Sequence, residues 1–143
     1  MITFNTQDIK SPEISKQEIS QWIKSIAQEY NKKIGEIAYV FCSDACILKI
    51  NNEYLQHNYY TDIITFDYST KNIISGDIFI SLDTVKSNAE QYNQPFETEL
   101  HRVIIHGILH LCGQADKSPE ERREMTRREN LALEKIKLNS LNL

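Results

Sequence analysis

His106 and His110 stand four residues apart in His106-Gly107-Ile108-Leu109-His110-Leu111-Cys112-Gly113-Gln114-Ala115-Asp116. On a helix that spacing sets two imidazoles about 40° apart around the axis and one turn apart along it, so both can reach one ion. Gly113 comes where a left-handed residue can end a helix and turn the chain back, and Asp116 follows three residues later. The pattern H-x-x-x-H-x-x-G-x-x-D thus has helix, turn and third donor in the order of a zinc site. A plainer reading makes His106 and His110 core histidines bonded to their neighbours, and Asp116 a solvated loop acid beside Lys117 and Ser118. The metal reading is the stronger, because two imidazoles without partners on an otherwise apolar helix would be costly to bury. His101, five residues before His106, is rotated from it by about 140° and falls outside the set.

Imidazole and carboxylate donors suit zinc, although nickel, manganese or iron fit the same set. With three protein ligands one position stays open, and a water there becomes a nucleophile near neutral pH, so His106, His110 and Asp116 are catalytic through the ion and its water. An aspartate in third place adds a negative charge relative to three neutral imidazoles, and the water is expected to be less acidic for it. Position 107 is glycine where the zinc proteases carry their general-base glutamate, which argues against peptide hydrolysis.

The elements that must position these groups belong to a chain of 143 residues, enough for one domain with one core. Its 41% hydrophobic and 25% charged content, with 4 Gly and 3 Pro, are those of a compact globular protein. The amino terminus lacks a basic segment followed by an apolar run, and no stretch reaches a membrane span, so a cytoplasmic location is expected. Cys42, Cys46 and Cys112 lack CxxC spacing and read as buried free thiols. The net charge of −4 offers a polyanion no overall attraction, which leaves local patches. Lys10, Lys16, Lys24, Lys32 and Lys33 form one. Arg122, Arg123, Arg127, Arg128, Lys135 and Lys137 form another, but Glu120, Glu121, Glu124, Glu129 and Glu134 interleave with it and make a solvated, salt-bridged helix face.

Residues 2 to 5 read as a short strand. Ser15-Lys16-Gln17-Glu18 is a capping box that opens a helix over 16–31, with Ile19, Trp22, Ile23, Ile26 and Tyr30 on its inner face. Gly35 breaks the pattern, and residues 37–42 form a central strand that is apolar on both faces. Ser43-Asp44 caps a helix over 45–55 whose inner set is Ile47, Leu48, Ile50, Tyr54 and Leu55. Residues 61–67 and 76–81 make an antiparallel hairpin. A weakly apolar helix runs from Ser81 or Asp83 to about 92, a strongly apolar and therefore central one from 97 to 112, and a last one, opened by Ser118-Pro119-Glu120-Glu121, to about 138. The expected fold is α/β in class with an α+β flavour: a small four-stranded mixed sheet packed by about five helices, the metal site on the central helix and the following turn.

Three segments in this order resemble the YbeY endoribonucleases, also described as rRNA maturation factors. The family motif H-G-x-L-H-L-x-G-x-D-H is similar to residues 106–116, P-T-D-V-L-S-F to Tyr60-Thr61-Asp62-Ile63-Ile64-Thr65-Phe66, and G-D-I-x-I-S to Gly76-Asp77-Ile78-Phe79-Ile80-Ser81. The resemblance implies a single α/β domain, one zinc ion in a cleft, and single-strand-directed RNA cleavage in small-subunit rRNA maturation and ribosome quality control. It implies ribosomal RNA, the small subunit and ribosomal proteins as partners, with neither membrane nor DNA. Two departures stand out. The family's closing aspartate-histidine pair falls on Ala115-Asp116, so Asp116 takes the place of the third histidine. Aligning Ile50-Asn51-Asn52-Glu53-Tyr54 with the family's L-N-x-x-Y puts Leu55 where the family has arginine. Arginine there could hold a phosphate, which leucine cannot. Lys49, His57 or Arg102 could substitute.

Asp62, Asp67 and Asp77 are candidates for the cleft, equally readable as strand-end and turn acids. Asp62 or Asp77 could orient a metal-binding histidine through its second nitrogen, and Thr61 and Thr65 could line the groove. The leading function is a metal-dependent endoribonuclease. A metal-stabilised, non-catalytic factor that binds ribosomal RNA or a ribosomal protein is the alternative, and a metalloprotease the weaker third.

Overall fold

The computed structural model describes residues 1–55 and 61–141, with side chains through residue 137. Four strands and five helices follow one another among these residues: β1 (Ile2–Thr6), α1 (Lys16–Glu29), β2 (Lys33–Cys42), α2 (Asp44–Leu55), β3 (Ile63–Asp67), β4 (Ile73–Ser81), α3 (Leu82–Gln91), α4 (Phe96–Leu111) and α5 (Pro119–Leu141). The sheet order is β1-β2-β4-β3. The first three of these run parallel, and β3 pairs antiparallel with β4 at the edge. The expected α/β class, mixed sheet and hairpin are all present.

Local chemistry explains most boundaries. Ser15 accepts from the Glu18 amide to start α1, and Ser81 does the same from Thr84 for α3. At α5 the capping box is complete, since the Glu121 amide donates to Ser118 Oγ at 3.0 Å while the Ser118 amide donates to Glu121 Oε1 at 2.9 Å. Gly35, read from the sequence as a break, lies inside β2 instead. The register between β2 and β4 shifts there, and a Cβ on Gly35 would stand 2.2 Å from Ser75 Oγ. A glycine-bearing irregularity lets the strand start four residues earlier, at Lys33, than its apolar run.

The two faces of the sheet are unequal. Ile37, Tyr39, Phe41, Ile74, Ile78 and Ile80 join α1, α4 and α5 in one large core. On the other face, among the described residues, a small cluster gathers around the buried Cys42, Ile47 and Ile64. That imbalance corrects the reading of α2: Ile47 is buried as expected, but Tyr54 and Leu55 are 67% and 41% exposed. A short helix over one end of the sheet has little to pack on, and the polar Asn51 takes the second buried position. Opposite it α4 is buried nearly all round. The Trp22 indole donates to the Ala132 carbonyl at 2.8 Å and ties α1 to α5, and α5 in turn lies along α4.

Candidate metal centre

Residues 102, 106 and 110 follow each other at intervals of four on α4, so Arg102, His106 and His110 line up along one side of it. The helix ends where expected. Gly113 takes a left-handed φ of 104° and its amide reaches the His110 carbonyl, after which the chain folds back towards α4. That turn delivers Asp116, whose Oδ2 stands 3.3 Å from His106 Nε2. The two groups and His110 line one cleft of about 410 Å³, closed by Asn51 and Leu55 of α2 and by Thr61, Asp62, Ile63, Ile64 and Thr65 at the sheet edge.

His106 is held from both sides. Its Nδ1 lies 2.7 Å from Glu129 Oε2. The other oxygen of that carboxylate accepts from Arg102 Nη1 at 2.9 Å, and Arg102 Nη2 donates to Asn130 Oδ1 at 2.8 Å. Burial works against the His106 cation, but the bond and charge of Glu129, aided by Asp116 and Asp62, outweigh it and hold the imidazole above its ordinary value. Burial also raises the carboxyl of Asp62, against the pull of His106. Glu99, buried near the same cluster, is raised for the same reason, with Arg102 opposing.

The candidates from the sequence divide cleanly. His106, His110, Asp116, Thr61, Asp62 and Thr65 share the cleft. Asp77 does not: side chains alternate along β4, so Ile78 and Ile80 face α4 while Asp77 faces the α2 side. There it accepts from the Tyr68 hydroxyl at 3.2 Å and lines a second recess together with Lys49. Asp67 is exposed and accepts from the Ser69 amide in the turn. Arg102 points to α5, committed to Glu129 and Asn130, so it does not stand in for the missing arginine. Leu55 lies on the cleft wall, and no lysine or arginine lines the cleft among the described residues. His57 lies outside the described residues.

Glu129 is the residue the sequence reading missed. The charge interleaving places it on the solvated face of the last helix, yet it is 6% exposed. A signal was there to find, because residue 129 lies on the stripe formed by Met125, Ala132, Leu133 and Ile136, all buried. A carboxylate on an apolar stripe needs a partner. The expectation that Asp62 or Asp77 would hold the second nitrogen of a histidine is corrected accordingly: on His106 that place belongs to Glu129.

Gly107 also has a structural reason. A Cβ there would stand 3.0 Å and 3.2 Å from the Cδ1 atoms of Ile78 and Ile63. Helix and sheet meet closely there, so a side chain requires Ile78 and Ile63 to give by a few tenths of an ångström, and position 107 faces the sheet, not the cleft. A glutamate at 107 would start out towards Ile78 and Ile63 and away from the cleft.

The donors suit a metal. Two ligands of one tetrahedral zinc, each at its usual bond length, stand about 3.4 Å apart, and His106 Nε2 and Asp116 Oδ2 are 3.3 Å apart. As they stand, no three His, Cys, Asp or Glu side chains among the described residues close into a full ligand set. His110 is exposed on the same wall.

An α/β scaffold whose sheet-edge cleft gathers two helix-borne histidines and a turn-borne aspartate has the donor set of a hydrolase, and comparison with known proteins gives the lineage. The chain belongs to the YbeY endoribonuclease family: the profile of the family described as Endoribonuclease YbeY matches residues 2–137. It is 63% identical over 132 residues to the Endoribonuclease YbeY of Bacteroides fragilis, covering 92% of this chain and 95% of that one. To that of Phocaeicola vulgatus it is 62% identical over 138 residues, covering 96% and 100%. A solution structure of a Thermotoga maritima protein shares the fold with a TM-score of 0.69 at 24% identity, over 95% of this chain and 89% of that one. No described helix is long and apolar enough to cross a membrane.

Proposed function

We propose that this endoribonuclease is metal-dependent and cuts single-stranded RNA in the maturation of small-subunit ribosomal RNA, with His106, His110 and Asp116 as the ligands of one divalent ion, zinc by preference. The observation that carries the reading is the His106–Asp116 approach of 3.3 Å inside a cleft that His110 also lines. An ion there supplies Lewis acidity towards water or a phosphate oxygen. The chain supplies the rest. His106 offers Nε2 to the cleft while Glu129 occupies Nδ1, Asp116 brings the negative charge, and Thr61 and Thr65 line the same cleft. The open edge of β3 forms one wall, which suits an extended strand better than a duplex.

The test joins metal analysis of the purified protein to cleavage of ribosomal RNA fragments and a peptide library, with His110→Ala as control. Metal in the parent and RNA cleavage that His110→Ala abolishes are expected. Cleavage undiminished in His110→Ala sinks the metal mechanism. Leu55 and the absence of lysine and arginine from the described cleft wall favour a second reading, a metal-stabilised factor that binds ribosomal RNA without cutting it. A metal-bearing protein that binds these fragments and leaves them intact is the outcome that reading requires.

A further inference from the structure

We propose that Glu129, gripped by Arg102, is the positioning residue of this centre, setting which nitrogen of His106 faces the cleft; the inference rests on the metal reading above and adds a residue from another helix to it. A neutral imidazole carries its proton on either nitrogen, and only the bare nitrogen can bind a metal. At 2.7 Å from Nδ1, Glu129 Oε2 is an acceptor with no proton to give while ionised. Asp116 Oδ2, the acceptor on the other side, stands farther off at 3.3 Å from Nε2, so the closer Glu129 favours the Nδ1–H form and leaves the Nε2 lone pair towards the cleft. Carboxylate partners of this kind orient metal-bound histidines and raise their basicity.

Glu129 could not hold this geometry unaided. It is 6% exposed, so an ionised carboxylate there needs counter-charge. Arg102 provides it with a fork split between Glu129 Oε1 at 2.9 Å and Asn130 Oδ1 at 2.8 Å. Because Arg102 and His106 are four apart on α4, the same helix face presents the cation and the imidazole, and one carboxylate from α5 bridges both. The sequence of contacts Asn130–Arg102–Glu129–His106 makes the docking of α5 part of the site.

A structural staple between two helices would be satisfied by any polar contact, whereas a positioning residue must accept specifically at Nδ1. Glu129→Gln keeps size and polarity but loses the charge and can present its amide nitrogen. Zinc affinity, measured by competition with a chelating dye, is expected to fall about 10- to 100-fold, with KM for RNA unchanged and kcat reduced at limiting zinc. Arg102→Lys, which retains the charge without the fork, is expected to fall less. Nitrogen NMR of the metal-free protein at alkaline pH should show His106 as the Nδ1–H tautomer in the parent and as a mixture in Glu129→Gln. Parent-like zinc affinity and an unchanged tautomer in a folded Glu129→Gln protein overturn the inference. A parent that binds no zinc defeats the metal reading instead, and the tautomer measurement still decides the role of Glu129.

Discussion

His101 and His106 lie five residues apart on α4, and their surroundings drive them in opposite directions. His101 packs against the Trp22 ring with centroids 5.7 Å apart. Among the described residues its ion-pair contact is with Glu97, at 4.0 Å, and burial, opposed by Glu97 and Glu18, lowers its affinity for a proton. His106 is just as much part of the helix, yet a carboxylate stands at each ring nitrogen and the proton is held more tightly than usual. The side chain is identical in both. What differs is the neighbouring element: α1 offers an indole, while α5 and the turn after α4 offer carboxylates. A histidine becomes a candidate ligand through the groups that fix its second nitrogen, and helical spacing alone only makes it eligible.

The largest effect that would break this comparison is loss of function at one histidine and not the other. His106→Ala should reduce zinc affinity and RNA cleavage by at least about a hundredfold, the upper end of what an outer partner contributes, whereas His101→Phe should leave both close to the parent. Equal losses in a cleavage assay would mean that α4 acts only as a scaffold. Next comes the register that keeps the two rings on different sides of the helix. Gly107→Ala drives a Cβ into Ile78 and Ile63, and urea unfolding should show a loss of about 1–3 kcal/mol, the usual range for overpacking. An unchanged midpoint would show that helix and sheet can part at the level of His106.

The His106 side of the comparison can be sharpened by adding a cation to the cleft. Leu55→Arg puts a guanidinium on the wall that holds no described cation, and a charged hydrogen bond to phosphate of about 1.5–3 kcal/mol should raise kcat/KM on single-stranded RNA by about tenfold or more. A flat response would mean that the phosphate does not pass Leu55. The smallest effect concerns His101 and pH. Its folded value is lowered, so the unfolded chain binds the proton first. Stability from this group is therefore present above the ordinary histidine value of about 6.5 and is lost as pH falls from there towards the folded value. Thermal melts of His101→Phe should lack that share of the decline, and a parent-like slope between neutral and mildly acid pH would rule the group out as its source.

Much of the fold was legible because its signals are local. Ser15, Ser81 and Ser118 mark helix starts by accepting from amides three positions on, Pro119 suits the first helical position, and the apolar density of α4 foretold its burial. Gly35 misled because a glycine that ends a strand and one that allows a bulge look alike until β4 is placed beside it. Tyr54 and Leu55 misled because the spacing on α2 is helical, while the sheet beneath it offers cover for only part of that face. Asp77 sits in a segment matching the family, but strand alternation turned it to the far side of the sheet.

The H-x-x-x-H-x-x-G-x-x-D pattern determined by itself that two imidazoles and an acid are carried on one helix and its turn, because helical periodicity and the left-handed Gly113 act within a dozen residues. The sequence likewise carried the family resemblance and the exclusion of a protease glutamate at position 107. Only the tertiary structure decided that Glu129, 23 residues beyond His106, takes the second nitrogen, that Arg102 serves Glu129 and leaves the cleft without its charge, and that Gly107 is dictated by contact with Ile63 and Ile78. The physical reason is one of range: spacing along a chain sets which residues of one element share a face, but which residues of another element meet that face is set by how the apolar stripes of α4, α5 and the sheet pack.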